Sequence, residues 1–158
     1  NTAASLLTGL LGGPAATTAY VRTLGDPTTR LDRLEPALNE TAPGDDRDTT
    51  TPAAIVGDLR ALVLGDALDP AGRDRLTGWM VGAVTGTEHI RAGLPRGWRV
   101  GDKTGTGNGS INDIAIVWPG TRPPILIASY ITQTPEGFKQ GDAIHAEVAR
   151  AAAGAFNG

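Results

Sequence analysis

The hydrophobic period of this chain changes once, near Pro95, and that change limits the fold to helices followed by sheet. Before it, apolar residues recur at helical spacing. Leu6, Leu7, Leu10 and Leu11 form one stripe in a helix expected from Asn1 to Leu11, stopped by Gly12-Gly13. Pro14 opens a second helix that reaches Leu24, and Gly25-Asp26-Pro27 breaks it. Thr51-Pro52 starts a third, in which Ile55, Leu59, Leu62 and Val63 recur at i, i+4, i+7 and i+8. Asp69-Pro70 starts a fourth, carrying Leu76, Trp79, Met80 and Val84 before Gly86. After Pro95 the residues Trp98 to Lys103, Ile114 to Trp118 and Ile125 to Ile131 read as three strands joined by short turns. A last helix runs from about Asp142 to Phe156. Helices, then an antiparallel meander, then a helix make an α+β arrangement.

One stretch obeys neither period. Residues 28–51 are filled with Pro, Asp, Arg and Thr, and a loop this long inside a compact domain is usually functional or disordered. Arg33 and Asp48 stand near its two ends, as an ion pair across its neck or as two unrelated surface charges. The rest of the composition narrows the function. The chain has 158 residues, enough for one domain with a real core. A net charge of −3 argues against nucleic acid or an anionic membrane as partner. There are no cysteines, so disulfides, thiolate metal sites and cysteine nucleophiles are excluded. No apolar run approaches the ~18 residues that span a bilayer.

Three short stretches carry chemistry. Lys103-Thr104-Gly105-Thr106-Gly107, expected at the end of a strand, offers an ammonium, two hydroxyls and an uncluttered backbone, a set suited to an anion. Taken singly, it also fits a glycine turn closing a hairpin. Glu35-Pro36-Ala37-Leu38-Asn39 sets a carboxylate four residues from a carboxamide. The two can converge on one water, the carboxylate accepting its proton, although a solvated acidic loop has the same composition. Asn1 opens a helix, where an asparagine also serves as an N-cap.

In this order and at these separations the three stretches resemble the class A serine β-lactamases. Lys103-Thr104-Gly105 matches the family's Lys-Thr-Gly element, Glu35 to Asn39 its Glu-x-x-Leu-Asn loop motif, and Asn1 the last residue of Ser-Asp-Asn. Arg33-Leu34, the segment Pro43 to Pro52 and Ala92-Gly93-Leu94-Pro95 extend the similarity over essentially the whole chain. The resemblance implies that residues 1–95 are part of a helical domain and 96–158 part of an α/β domain, with the amino-terminal part of the enzyme absent.

It further implies a role for each residue. Glu35 is the base that activates the hydrolytic water, and Asn39 helps hold that water. Lys103 supplies positive charge near the leaving nitrogen. Thr104, Gly105 and Thr106 line the site of the substrate carboxylate, with the Thr106 N–H as half of the oxyanion hole. Asn1 holds the substrate's acylamide. Arg33 and Asp48 clamp the loop, and the bond before Pro36 is cis. Where many members use an arginine to assist carboxylate binding, this chain has Asn112 or His89. His89 is therefore a candidate substitute, or else a structural histidine. The turn Asn108-Gly109-Ser110 looks short for the family.

No cofactor or metal is implied. The expected partners are a β-lactam and the missing amino-terminal half, in a monomeric, exported enzyme. Ser5, Ser110 and Ser129 lack a lysine three residues on, so the nucleophilic serine is expected elsewhere. Two other readings remain: a penicillin-binding transpeptidase, against which Glu35 and Asn39 speak, and a fragment inactive without its complement.

Overall fold

Two helices, a long loop, three more helices, three strands and a final helix follow one another along the chain. The computed structural model describes residues 1–40, 42–107, 109–135 and 140–156. Helix α1 covers Thr2–Leu10 and α2 Pro14–Thr23, and a 3-10 turn at Ala37–Asn39 lies within the loop. Helices α3 (Pro52–Val63), α4 (Pro70–Val81) and α5 (Ile90–Gly93) come next. Strands β1 (Arg99–Gly107), β2 (Ser110–Trp118) and β3 (Ile125–Ile131) form an antiparallel sheet in the order β1-β2-β3, and α6 (Gly141–Phe156) completes the chain. The α+β reading is thus correct. Among the described residues no helix is long and apolar enough to cross a membrane.

Two helix starts, those of α3 and α4, lie where capping chemistry puts them. Thr51 accepts from the Ala54 N–H and Asp69 from the Gly72 N–H, each with proline at the first helical position. The sheet is covered on both faces. Ile90, Val100, Ala115, Val117, Ile125, Ile127 and Ala149 pack on one side; Leu59, Val63, Met80 and Ile116 pack on the other.

Several boundaries differ from the sequence reading, for physical reasons. β1 begins at Arg99 and continues past Lys103 to Gly107, because its ladder with β2 persists to the pair Gly107↔Ser110. Lys103-Thr104-Gly105 therefore lies within a strand, not at its end. β2 likewise starts at Ser110, its polar first residues tied into the same ladder although they break the apolar alternation. α4 stops at Val81, so Val84 lies beyond it and is 89% exposed, as Trp79 is 69% exposed. The α1 stripe of Leu6, Leu7, Leu10 and Leu11 is also exposed, facing solvent rather than core. Asn108 lies outside the described residues; its neighbour Gly109 has φ +69°, a left-handed turn position.

Among the described glycines, the closest approach joins α5 to α6. A Cβ at Gly93 would lie 1.9 Å from the Ala146 carbonyl oxygen and 2.8 Å from the Ala149 Cβ. Gly93→Ala must push these helices apart. It is expected to cost about 1–3 kcal/mol, read as a lower denaturant midpoint; an unchanged midpoint would contradict this packing.

Candidate functional site

The loop is built before the site. Its first leg is held by α2: the Thr18 hydroxyl bonds the Leu31 backbone on both sides, and Arg22 donates to the carbonyls of Asp26 and Thr29. Asp26 accepts from the N–H groups of Thr28 and Thr29. The neck closes by Arg30 N–H to the Thr49 carbonyl at 3.0 Å and by the hydroxyls of Thr29 and Thr50 at 2.6 Å.

Asp48 is the central acceptor. One carboxylate oxygen takes the N–H groups of Asp32 and Arg33, at 2.7 and 2.9 Å, and the other takes Arg33 Nε at 2.5 Å. Arg33 and Asp48 side chains are only 13% and 4% exposed, so this pair is buried and not one of the weak surface kind. Arg33 also donates to the Glu40 carbonyl. Asp32 returns a bond to the Asp48 N–H, and the Arg30 guanidinium bonded to it holds its carboxyl down at about 2.

Inside the clamp the Glu35–Pro36 bond is cis. The following 3-10 turn, with Asn39 N–H bonded to the Pro36 carbonyl, brings the Asn39 amide back onto Glu35. Asn39 Nδ2 donates to Glu35 Oε2 at 2.5 Å and lies 3.2 Å from the Pro36 carbonyl. Carboxylate and carboxamide converge, which their spacing allowed but did not require. The loop then meets the sheet: a Cβ at Gly107 would lie 3.2 Å from the Asn39 carbonyl oxygen and 3.5 Å from its Cβ. The loop that carries Glu35 and the Lys-Thr-Gly strand are thus in van der Waals contact, and glycine permits it.

On β1, Lys103, Gly105 and Thr106 are exposed and Thr104 is half-buried. The Lys103 ammonium turns onto the Thr104 carbonyl. Asn1 is exposed and makes no side-chain cap bond, its carbonyl alone accepting from the Ser5 N–H. None of these contacts joins Asn1 to the loop or the strand.

His89 is engaged elsewhere. Its Nε2 bonds Asp142 at 2.9 Å, its Nδ1 lies 4.0 Å from Asp113, and its ring is 5.0 Å from that of His145. His145 is fully buried between the Ser129 hydroxyl and the Ile111 carbonyl, and burial pushes its pKa down. Asn112 pairs with Gly105 and so projects from the face opposite to Thr104.

Three features escaped the sequence reading. The Thr85 hydroxyl meets that of Thr104 at 3.1 Å; a lone threonine in a turn carries no signal. Asp102 and Asp113 are fully buried beneath the strand, Asp102 bonded to Arg91 and Asp113 accepting from the Ile90 N–H. Their polar positions in the alternation were the available sign. Burial, and after it the Asp102 charge, raise Asp113 to about 6.

A raised acid has a definite effect on stability. As pH rises from about 4 to about 6, the unfolded chain releases this proton first, so stability falls and then levels off. Asp113→Asn should therefore gain in unfolding midpoint over the parent across that window, with no added gain above it. Parallel curves across pH would contradict the assignment.

Comparison with known proteins bears on this geometry. A sequence profile of the β-lactamase enzyme family matches residues 1–156. The chain belongs to that family. It is 49% identical over 151 residues to β-lactamase OXY-2 of Klebsiella oxytoca, covering 95% of this chain and 52% of that protein. It is 51% identical over 152 residues to β-lactamase FAR-1 of Nocardia farcinica, covering 96% of this chain and 49% of that protein. The structure of an ancestral class A β-lactamase superposes with a TM-score of 0.95 at 57% identity, covering 99% of this chain and 60% of that one. This β-lactamase chain thus spans about half the length of these curated relatives. The β-lactamase fold accounts for the elements observed, from α1 to α6.

Proposed function

We propose that this chain supplies the water-activating and substrate-holding side of a class A serine β-lactamase site, the nucleophilic serine lying in the part of the family's length outside these 158 residues. One observation carries the reading: Asn39, whose amide bonds Glu35, packs against Gly107 at the end of the strand that carries Lys103-Thr104-Gly105. In the reaction, the serine oxygen adds to the β-lactam carbonyl, the C–N bond breaks, and the ring nitrogen takes up a proton, leaving an ester. Glu35 then removes a proton from water as the water oxygen attacks the ester carbonyl, and the serine leaves with a proton. Asn39 holds Glu35 and the water. Lys103, Thr104 and Thr106 receive the substrate carboxylate, the Thr106 N–H stabilises the oxyanion, and Asn1 receives the acylamide.

The residues left out of the family's length would cover the exposed α1 leucines and an open apolar cleft. That cleft runs along β3 between α3 and α6 and is lined by Leu64, Leu126 and Phe156 among others. The substrate is accordingly a β-lactam, the working enzyme a monomer completed by that portion, and its location outside the cytoplasm. Hydrolysis of a chromogenic cephalosporin by the full-length protein tests the reading. Rapid turnover supports it. A long-lived acyl-enzyme without turnover identifies a transpeptidase instead, and no acylation at all overturns both.

A further inference from the structure

After α4 the chain folds back across β1 through residues 82–89 before α5 begins. Gly86, at φ +77°, sits so close to the strand that a Cβ there would lie 2.4 Å from Asp102 Oδ2 and 2.7 Å from Thr104 Cγ2. The turn is therefore seated on two alternate residues of β1. Its far end is tied by the His89 N–H to the Gly86 carbonyl at 3.0 Å, and by the His89 ring to Asp142. This seating brings the exposed Thr85 to Thr104, hydroxyl to hydroxyl, at 3.1 Å.

We propose that Thr85 is a specificity-determining residue, whose hydroxyl works with that of Thr104 as one outward-aimed donor for the anionic group of the substrate. The inference rests on the function proposed above. Each hydroxyl has one proton and two acceptor sites. Linked by one hydrogen bond, the two hydroxyls retain a single proton to give away, and the link polarises it and restricts its direction. A lone Thr104 would have the proton without the orientation. The two residues that stand where many members of the family carry an arginine add no contact to those of Lys103, Thr104 and Thr106: His89 is bonded to Asp142, and Asn112 projects from the other face of the sheet. The Lys103 ammonium, folded onto the Thr104 carbonyl, adds positive charge beside the pair.

The test compares T85V, T85S, T104V and the double variant T85V/T104V in the full-length enzyme. The substrates are a cephalosporin with its free carboxylate and the methyl ester of the same compound. A hydrogen bond to a charged group suggests that T85V raises KM for the acid about ten-fold, with kcat within about two-fold as uniform binding requires. T85S should stay within about two-fold of the parent, because it keeps the hydroxyl. The double variant should be no worse than T104V, and the ester should not distinguish Thr85 from valine. Unchanged KM for the acid in T85V, or an equal rise for acid and ester, overturns the proposal. If T104V and Lys103→Ala also leave the acid unaffected, the carboxylate-holding strand itself is misassigned. A defect confined to T104V refutes Thr85 alone.

Discussion

Glu35→Gln is expected to give a full-length enzyme that acylates and then stops. Glutamine has the size of glutamate and can still bond Asn39, whose amide is already 2.5 Å from the Glu35 carboxylate. It has no basic oxygen to take a proton from water. Loss of a positioned general base costs about 10²–10⁴-fold in rate, and the step affected is ester hydrolysis. Mass spectrometry after mixing with a penicillin should find most of the protein carrying the opened drug, while steady-state turnover falls by at least about 100-fold. Whether the same glutamate also assists acylation is disputed for this family, and the variant answers that too. Acylation slowed as much as hydrolysis, with no adduct accumulating, would assign Glu35 to the first step. Undiminished turnover would remove it from the mechanism.

Asp48→Asn should have the next largest effect, and through position alone. Asp48 sits at φ +56°, a conformation that asparagine tolerates better than most residues, so backbone strain is not introduced. The asparagine carbonyl can keep the two N–H bonds from Asp32 and Arg33. Its amide, however, faces Arg33 Nε, donor against donor, where the parent has an acceptor at 2.5 Å. Breaking a buried pair from one side typically costs about 3–5 kcal/mol, because the other charge is stranded. Arg33 keeps its bond to the Glu40 carbonyl, which places the expected loss near the lower end, about 3 kcal/mol. The loop that presents Glu35 loosens, so hydrolysis of the ester should slow more than its formation, as measured by acyl-enzyme trapping. Equal slowing of both steps would count against the clamp.

What the sequence disclosed follows from the range of each interaction. Helix starts at Pro52 and Pro70 were legible because capping and proline act within a few residues. The convergence of Glu35 and Asn39 was legible only as one of two arrangements. A four-residue spacing allows it, but the cis bond and 3-10 turn that set it carry no sequence signal of their own. Val84 was assigned to a helix because periodicity tests only spacing, whereas the helix had ended at Val81. β1 was read too short because glycines and threonines carry little apolar signal, and the ladder with β2 is a long-range pairing. The Thr85–Thr104 contact joins residues 19 apart through a turn seated by Gly86, and no local rule reaches it. Resemblance to a family placed Lys103 and Thr106 beside a substrate; it could not show that His89 is already bonded to Asp142.

The closure of the loop neck bears on where the chain can be lengthened. One of its rungs is a backbone bond between Arg30 and Thr49, and the Asp48 carboxylate draws two of its three bonds from main-chain N–H groups. Those backbone bonds need no particular side chain at the donor, although the side chains of Asp32 and Arg33 make further bonds to Asp48. Residues 42–45, beyond the Glu35–Asn39 turn, hang from this frame, and the Asp46 carbonyl ties them back to it by accepting from the Thr49 hydroxyl. Lengthening such a segment costs only about 0.6 kcal/mol per doubling of loop length. An insertion there would lengthen the tip and leave the frame, and with it the position of Glu35, in place.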